Sequence, residues 1–146
     1  VLHWHQQLFG STRSDIAGSI RRHQVAIARS KFDPPTAAEL DLLLEEFFTW
    51  YRKHERKLQP VELAALVHLK FVTIHPFSDG NGRISRLMMN YILNCHGYPM
   101  MDIAYTGRTS YYNALERAQV KENEMIFLQW FFRQYLKQHR QHMHML

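Results

Sequence analysis

The spacing of apolar residues limits this chain to a mainly helical fold. Apolar side chains recur every three or four residues across 36–54, 60–75, 83–97, 110–119 and 123–139, which is the spacing of amphipathic helices. The second segment ends where a histidine precedes a proline, because proline disfavours helical geometry in the residue before it. The sequence therefore predicts an all-α fold, a bundle of helices around one core.

Residues 18–35 are the exception to this pattern. Val25, Ala26 and Ile27 stand there among basic and polar side chains, without a helical stripe. We interpret the segment as a short β-hairpin or an extended flap. Such a flap must lean on the helices, because a two-stranded ribbon has little stability of its own.

The chain has the length of one domain. Its 146 residues can bury one core, so we expect a single domain over 1–146 with a frayed tail at 140–146. The single cysteine, Cys95, excludes an internal disulfide, and no apolar run is long enough to cross a bilayer. The expected location is the cytoplasm, without a membrane partner.

The charge of the chain favours an anionic partner. The formal net charge is +5, which suits a nucleotide, a nucleic acid or an acidic protein surface. The basic residues are dispersed along the chain, and no recognition helix is evident. We therefore expect no nucleic-acid partner, and a basic binding module is the weaker alternative.

One segment carries most of the chemical information. Residues 75–86 read His-Pro-Phe-Ser-Asp-Gly-Asn-Gly-Arg-Ile-Ser-Arg and join two predicted helices. Gly80, Asn81 and Gly82 predict a tight turn whose amide groups converge in front of a helix N-terminus. Such a turn binds anions, because unpaired donors and the positive end of the helix dipole meet there. We expect Phe77 to point into the core and fix the loop.

The charged residues of the same segment extend this interpretation. Arg83 and Arg86 lie in the first turns of the following helix and can reach an anion larger than one phosphate. Asp79 would repel a bare phosphate, but a bridging Mg²⁺ makes a nearby carboxylate favourable. His75 can accept a proton near neutral pH. The residues thus predict a site for a metal-bound polyphosphate beside a base.

These residues also carry a family resemblance. Residues 75–86 match the signature His-Pro-Phe-x-Asp/Glu-Gly-Asn-Gly-Arg-x-x-Arg at every specified position. The chain therefore resembles the Fic family over about residues 1–139, and the segment 18–35 is similar to the family's flap. The resemblance implies the Fic fold, a helical bundle with a short β-hairpin flap. The chain is most similar to members with an inhibitory helix on the N-terminal side.

The resemblance implies a protein adenylyltransferase, which transfers AMP from ATP to a Ser, Thr or Tyr hydroxyl. The acceptor is a target protein or the domain itself, and Mg²⁺ is the cofactor. By the same resemblance His75 is the general base and Asp79 the metal ligand. The residues implied to bind the nucleotide are Gly80, Asn81, Gly82, Arg83, Arg86, Tyr111, Tyr112 and Gln119. Arg86 is the better candidate for the γ-phosphate, and Val25 and Ile27 of the flap contact the target.

Two further expectations follow from the resemblance. The family's inhibitory motif, Ser/Thr-x-x-x-Glu-Gly/Asn, does not occur in the sequence given, so we expect transfer and little hydrolysis. A homodimer is open, since members of the family often dimerise. The alternatives are transfer of another nucleotide or phosphate-containing group, and a nucleotide sensor without catalysis.

Overall fold

This computed structural model describes residues 1–143, without the side chains of 105 and 141–143. Short 3₁₀ turns at Ala37–Glu39 and Tyr105–Gly107 precede two of its helices. The all-α prediction is confirmed over this range. The six α-helices are α1 (Leu2–Phe9), α2 (Leu40–His54), α3 (Pro60–Ile74), α4 (Asn81–Cys95), α5 (Arg108–Val120) and α6 (Glu124–Met143).

Helix α3 lies at the centre of the bundle. It begins with Pro60 at its first position, where a proline's missing amide hydrogen costs nothing. Its side chains are apolar on nearly every side, so α2, α4 and α6 can all pack on it. Ala64 and Ala65 are fully buried, and their small side chains let neighbouring helices approach closely. This packing fixes the end of α3, from which the motif loop emerges.

Helix α1 was not predicted from the sequence. It is only eight residues long, and its inner face consists of His5 and Phe9, one turn apart. Both side chains are buried. The helix therefore brings an aromatic face against the motif loop.

The flap, residues 18–35, contains no strand in the described chain, so the β-hairpin is not confirmed. The segment is an extended connection with turns. Its backbone is held by a side chain rather than by a ladder: the buried Arg21 donates hydrogen bonds to the carbonyls of His23 and Pro35, at 3.1 and 2.7 Å. The two ends of the flap meet at this guanidinium, which replaces strand pairing.

Helix α6 is described up to Met143 and therefore includes residues 140–143 of the predicted frayed tail. Residues 144–146, the remainder of that predicted tail, lie outside the described residues. Within residues 1–143, no helix combines the length and the apolarity that crossing a membrane requires.

Candidate active site

The motif loop leaves α3 through a left-handed residue. His75 is the C-cap of α3 with φ 53°, which turns the chain sharply away from the helix axis. Phe77 is then completely buried, and its ring stacks on His5 with 3.8 Å between centroids. The prediction that Phe77 anchors the loop in the core is confirmed.

Asn81 closes the loop with its side chain. Its carboxamide oxygen accepts the Phe77 N–H at 2.9 Å, and its NH₂ group donates to the Phe77 carbonyl at 2.8 Å. The residue is only 3% exposed. The asparagine of the signature therefore shapes the turn, and only its backbone amide stands at the helix start, where the predicted anion hole lies.

Gly80 is required at the start of α4 for two reasons. It is the N-cap with φ 85°, a conformation that side-chain-bearing residues rarely adopt. In addition, a Cβ on Gly80 would lie 2.6 Å from a ring carbon of Phe9. Because the first amides of a helix have no acceptor within it, this tight turn leaves the amides of Asn81 and Gly82 available to an anion.

The two motif arginines occupy different environments. Arg83 is half-exposed, 3.6 Å from the Asp79 carboxylate, and its guanidinium lies 4.8 Å from the centre of the Phe9 ring. Arg86 is more enclosed and leans back on the turn, so that a Cβ on Gly82 would lie 3.2 Å from Nη1 of Arg86. One cation therefore stands at the rim of the predicted site and the other at its inner wall.

Asp79 is the carboxylate nearest to the turn. Its Oδ1 accepts the Gly80 N–H at 2.7 Å, and its side chain is 57% exposed. Among the residues that the structure describes, no three histidine, cysteine or acidic side chains form a metal-binding group. A single exposed carboxylate fits Mg²⁺, which takes one or two protein carboxylates and completes its shell with phosphate oxygens and water.

His75 has the properties of a base at neutral pH. Burial lowers the pKa of its imidazole, and the positive charge of Arg21 lowers it further. Nδ1 is buried and lacks a hydrogen-bond partner within the described part of the chain. A neutral imidazole can accept a proton.

Arg21 connects the flap to this base. Its Nε donates to the His75 carbonyl at 2.7 Å, and its backbone amide donates to the Pro76 carbonyl at 3.0 Å. At the far side of the flap, the Lys31 amide donates to Glu116 of α5 at 3.0 Å. The flap is thus attached both beside His75 and on α5. Val25 and Ile27 are half-buried on it.

The residues predicted to approach the nucleotide base do not share one surface. Tyr111 is 2% exposed, so it lies in the core and is not at the wall of an open site in this structure. Tyr112 is half-exposed, with its hydroxyl 3.2 Å from Arg108. Gln119 donates to the Thr73 hydroxyl at 3.1 Å and lines a cavity. The two tyrosine rings are in contact, with 5.1 Å between their centroids, but one ring is enclosed in the core and the other is at the surface.

The cavity beside Gln119 is large enough for a small-molecule group. Its volume is about 690 Å³, and it is open to solvent on one side. The flap contributes Phe32, α3 contributes Lys70 and Thr73, and α2 contributes Trp50. Ile74, the residue before the motif loop, also lines it, whereas residues 75–86 do not.

Sequence reasoning missed the support that α1 gives to the loop. The Gly18 N–H donates to Nδ1 of His5 at 3.0 Å, so the proton of this ring is on Nε2, which donates to the Asp79 carbonyl at 2.9 Å. His5 therefore ties the flap's first residue to the motif loop. The signal in the sequence was the four-residue spacing of His5 and Phe9, and a single interval of this kind is not enough to indicate a helix.

Comparisons with known proteins agree with this geometry. A model of the Fic/DOC family matches residues 1–93. Over 119 residues the chain is 41% identical to protein adenylyltransferase Fic from Drosophila melanogaster, covering 81% of this chain and 24% of that protein. The Drosophila simulans protein of the same name matches equally well over the same shares. The chain thus spans about a quarter of these curated relatives.

Solved structures have the same fold. Fic-1 from C. elegans superposes with a TM-score of 0.83 at 26% identity, covering 97% of this chain and 41% of that chain. A Fic domain containing signaling protein from Bacteroides thetaiotaomicron gives a TM-score of 0.79 at 26% identity, over 94% of this chain and 59% of that chain.

Proposed function

The chain belongs to the Fic/DOC family, and from this premise we propose that it transfers AMP from ATP to a hydroxyl group of a protein. The observation that carries the proposal is the position of His75. A neutral imidazole stands at one end of a short loop, and the anion-binding start of α4 stands at the other end, with a carboxylate and two arginines around it.

The chemistry is a displacement at the α-phosphorus. Nε2 of His75 takes the proton from a Ser, Thr or Tyr hydroxyl as its oxygen bonds to phosphorus. The bond from the α-phosphorus to the bridging oxygen breaks, and pyrophosphate leaves with the electron pair. Because the protein forms no covalent intermediate here, it contributes positioning and charge stabilisation.

Each motif residue has a role in this scheme. The backbone amides of Gly80, Asn81 and Gly82 bind the α- and β-phosphates, and the inner Arg86 holds the γ-phosphate. Arg83 at the rim meets the outer oxygens. Asp79 would hold Mg²⁺, which neutralises phosphate charge when it is bound.

The cavity beside Gln119 supports a place for the nucleoside. It is lined by Ile74, the residue before the motif loop, and by Phe32 of the flap, and its polar lining includes Thr73 and Gln119. In this proposal Gln119 contacts the base, with Tyr112 at the outer edge of the site. Tyr111 has no direct contact with the nucleotide, because it is enclosed in the core.

The flap supports recognition of an extended target. Residues 24–28 of the flap form no backbone ladder within the described chain, and two of them, Val25 and Ile27, have half-buried side chains. An extended peptide can therefore add its backbone there and present its hydroxyl to His75. Three further points remain predictions: the domain modifies itself, it forms a homodimer, and it is located in the cytoplasm.

Labelled ATP tests the proposed reaction. The wild type with Mg²⁺ and ATP labelled on the α-phosphate should label protein, and ATP labelled on the γ-phosphate should not. His75→Ala should abolish the label and keep ATP binding, whereas exposed Arg22→Ala serves as the matched control. A label that comes only from the γ-phosphate would refute AMP transfer, and binding without any label would favour a nucleotide sensor.

A further inference from the structure

His5 of α1 is a buried polar side chain that the proposed reaction does not use. It is fully enclosed, and its ring contacts those of Phe77 and Phe9, with 3.8 and 4.8 Å between centroids. A phenylalanine or a leucine would fill such an aromatic site without the desolvation cost of two ring nitrogens. Packing alone therefore does not account for a histidine at this position.

Both ring nitrogens of His5 bind backbone groups of other segments. Nδ1 accepts the Gly18 N–H at 3.0 Å, so Nε2 carries the proton and donates to the Asp79 carbonyl at 2.9 Å. Gly18 lies at the start of the flap, and Asp79 lies in the motif loop. One side chain, oriented by the flap, therefore holds the backbone of the proposed metal ligand.

The contact with the Asp79 carbonyl fixes a whole peptide group. Because the peptide bond between Asp79 and Gly80 is planar and trans, the Gly80 N–H points away from the carbonyl that His5 holds. On that opposite side the Gly80 N–H donates to Oδ1 of Asp79 at 2.7 Å. His5 thus orients the Asp79 carboxylate through one rigid plane.

The rest of the turn has its own support. Asn81 binds both backbone groups of Phe77, and Gly80 adopts its left-handed conformation at the start of α4. The amides at the start of the helix are therefore held without His5. A change at His5 should affect the carboxylate more than the anion-binding amides.

We propose that His5 is a positioning residue that holds the Asp79 carboxylate in place for a divalent cation. The inference rests on the proposed function only in requiring that Mg²⁺ binds beside Asp79 together with ATP. The Asp79 side chain is 57% exposed, so the surrounding side chains do little to restrict it. A ligand that its backbone already orients loses less conformational freedom when the cation arrives, and the cation binds more tightly.

The test compares the affinity for ATP with Mg²⁺ present and with EDTA present, measured by titration calorimetry. The ratio of the two affinities reports the contribution of the cation. His5→Phe keeps a ring against Phe77 and removes both hydrogen bonds, and should lower this ratio by about tenfold, the scale for a partner of a metal ligand. The affinity in EDTA should not change. In an Asp79→Asn background, which lacks the carboxylate, His5→Phe should have no further effect on the ratio.

Two amide variants separate the two contacts of His5. His5→Gln places an NH₂ group near the position of Nε2, so it retains a donor for the Asp79 carbonyl and should keep a ratio near that of the wild type. His5→Asn places its amide near the position of Nδ1, so it retains only an acceptor for Gly18 and should lower the ratio as His5→Phe does. Thermal unfolding of each variant shows that it is folded, and this pair gives the same comparison should His5→Phe not fold.

Several results would overturn the inference. A folded His5→Phe or His5→Asn that keeps the wild-type ratio, or one that loses affinity for ATP equally with Mg²⁺ and with EDTA, would assign His5 to the core alone. A wild type whose affinity for ATP does not depend on Mg²⁺ would do the same. The proposed function fails separately: an altered ratio without AMP transfer by the wild type refutes only the reaction, and transfer with an unaltered ratio refutes only the positioning.

Discussion

The buried His68 makes the stability of this domain depend on pH in a calculable way. Its pKa is about 4 in the folded chain and about 6.5 in the unfolded chain, because burial next to Arg86 disfavours the charged ring. Between these values the unfolded state binds a proton at this residue and the folded state does not. The free energy of unfolding must therefore fall as the pH falls below about 6.5. Above that pH the His68 ring is neutral in both states and causes no loss of stability.

The magnitude follows from the gap between the two values. The free energy of unfolding should fall by about 1.4 kcal/mol per pH unit from this residue alone, which is about 2 kcal/mol between pH 6.5 and pH 5. The full loss approaches about 3 kcal/mol at pH 4. Tyr111, which also contacts this ring, stays protonated over that range, because burial raises the pKa of its hydroxyl.

Urea unfolding followed by circular dichroism at a series of pH values measures this dependence. His68→Gln is the control, because it removes the titrating group and retains an acceptor for Tyr111. The difference in slope between wild type and variant isolates His68 from His75, whose lowered pKa acts in the same direction. Equal slopes would show that His68 is already protonated or solvent-accessible in the folded chain, and the reasoning about its burial would be wrong.

Three further predictions concern the motif loop. The acid limb of the pH profile of kcat/KM should lie below pH 6.5, because burial and Arg21 lower the pKa of His75. Arg21→Met should move this limb to higher pH. A limb at or above pH 6.5 in the wild type would contradict the lowered pKa. Gly80→Ala should lower the free energy of unfolding by roughly 2 kcal/mol, since it forces a left-handed alanine against Phe9. In a Phe9→Ala background the loss should be smaller. Additive losses in denaturant melts would show that the contact with Phe9 is not the cause. Asn81→Ala should lower the free energy of unfolding by about 2–4 kcal/mol, because both backbone groups of Phe77 lose their hydrogen-bond partners. Hydrogen exchange of the Phe77 amide should accelerate in this variant. Unchanged protection of that amide would show that the Asn81 side chain does not hold the loop.

The sequence was sufficient to locate the motif loop and the helices on either side of it. The end of α3 at His75 and the start of α4 after Gly80 depend on local chemistry, proline in one case and glycine in the other. The burial of Phe77 was also predictable, because an isolated aromatic side chain in a polar loop is stabilised by packing into the core.

The features that the sequence did not reveal depend on distant contacts. Helix α1 is short, and its burial is evident only from the contacts of His5 with Gly18 and Asp79. The hairpin predicted for the flap is not confirmed, because residues 18–35 form no strand and the Arg21 side chain instead donates to carbonyls within the segment. Tyr111 was assigned to the nucleotide by resemblance, and only tertiary packing places its hydroxyl on His68.

Intact-mass spectrometry tests the central claim most directly. The domain would be incubated with Mg-ATP, alone and with a cell lysate, and compared with His75→Ala under the same conditions. We predict that the domain or a protein of the lysate gains the mass of one AMP, on a Ser, Thr or Tyr that fragmentation identifies, and that the variant produces no such gain. A folded, ATP-binding wild type that never produces this adduct, or an adduct that persists in His75→Ala, would contradict the account.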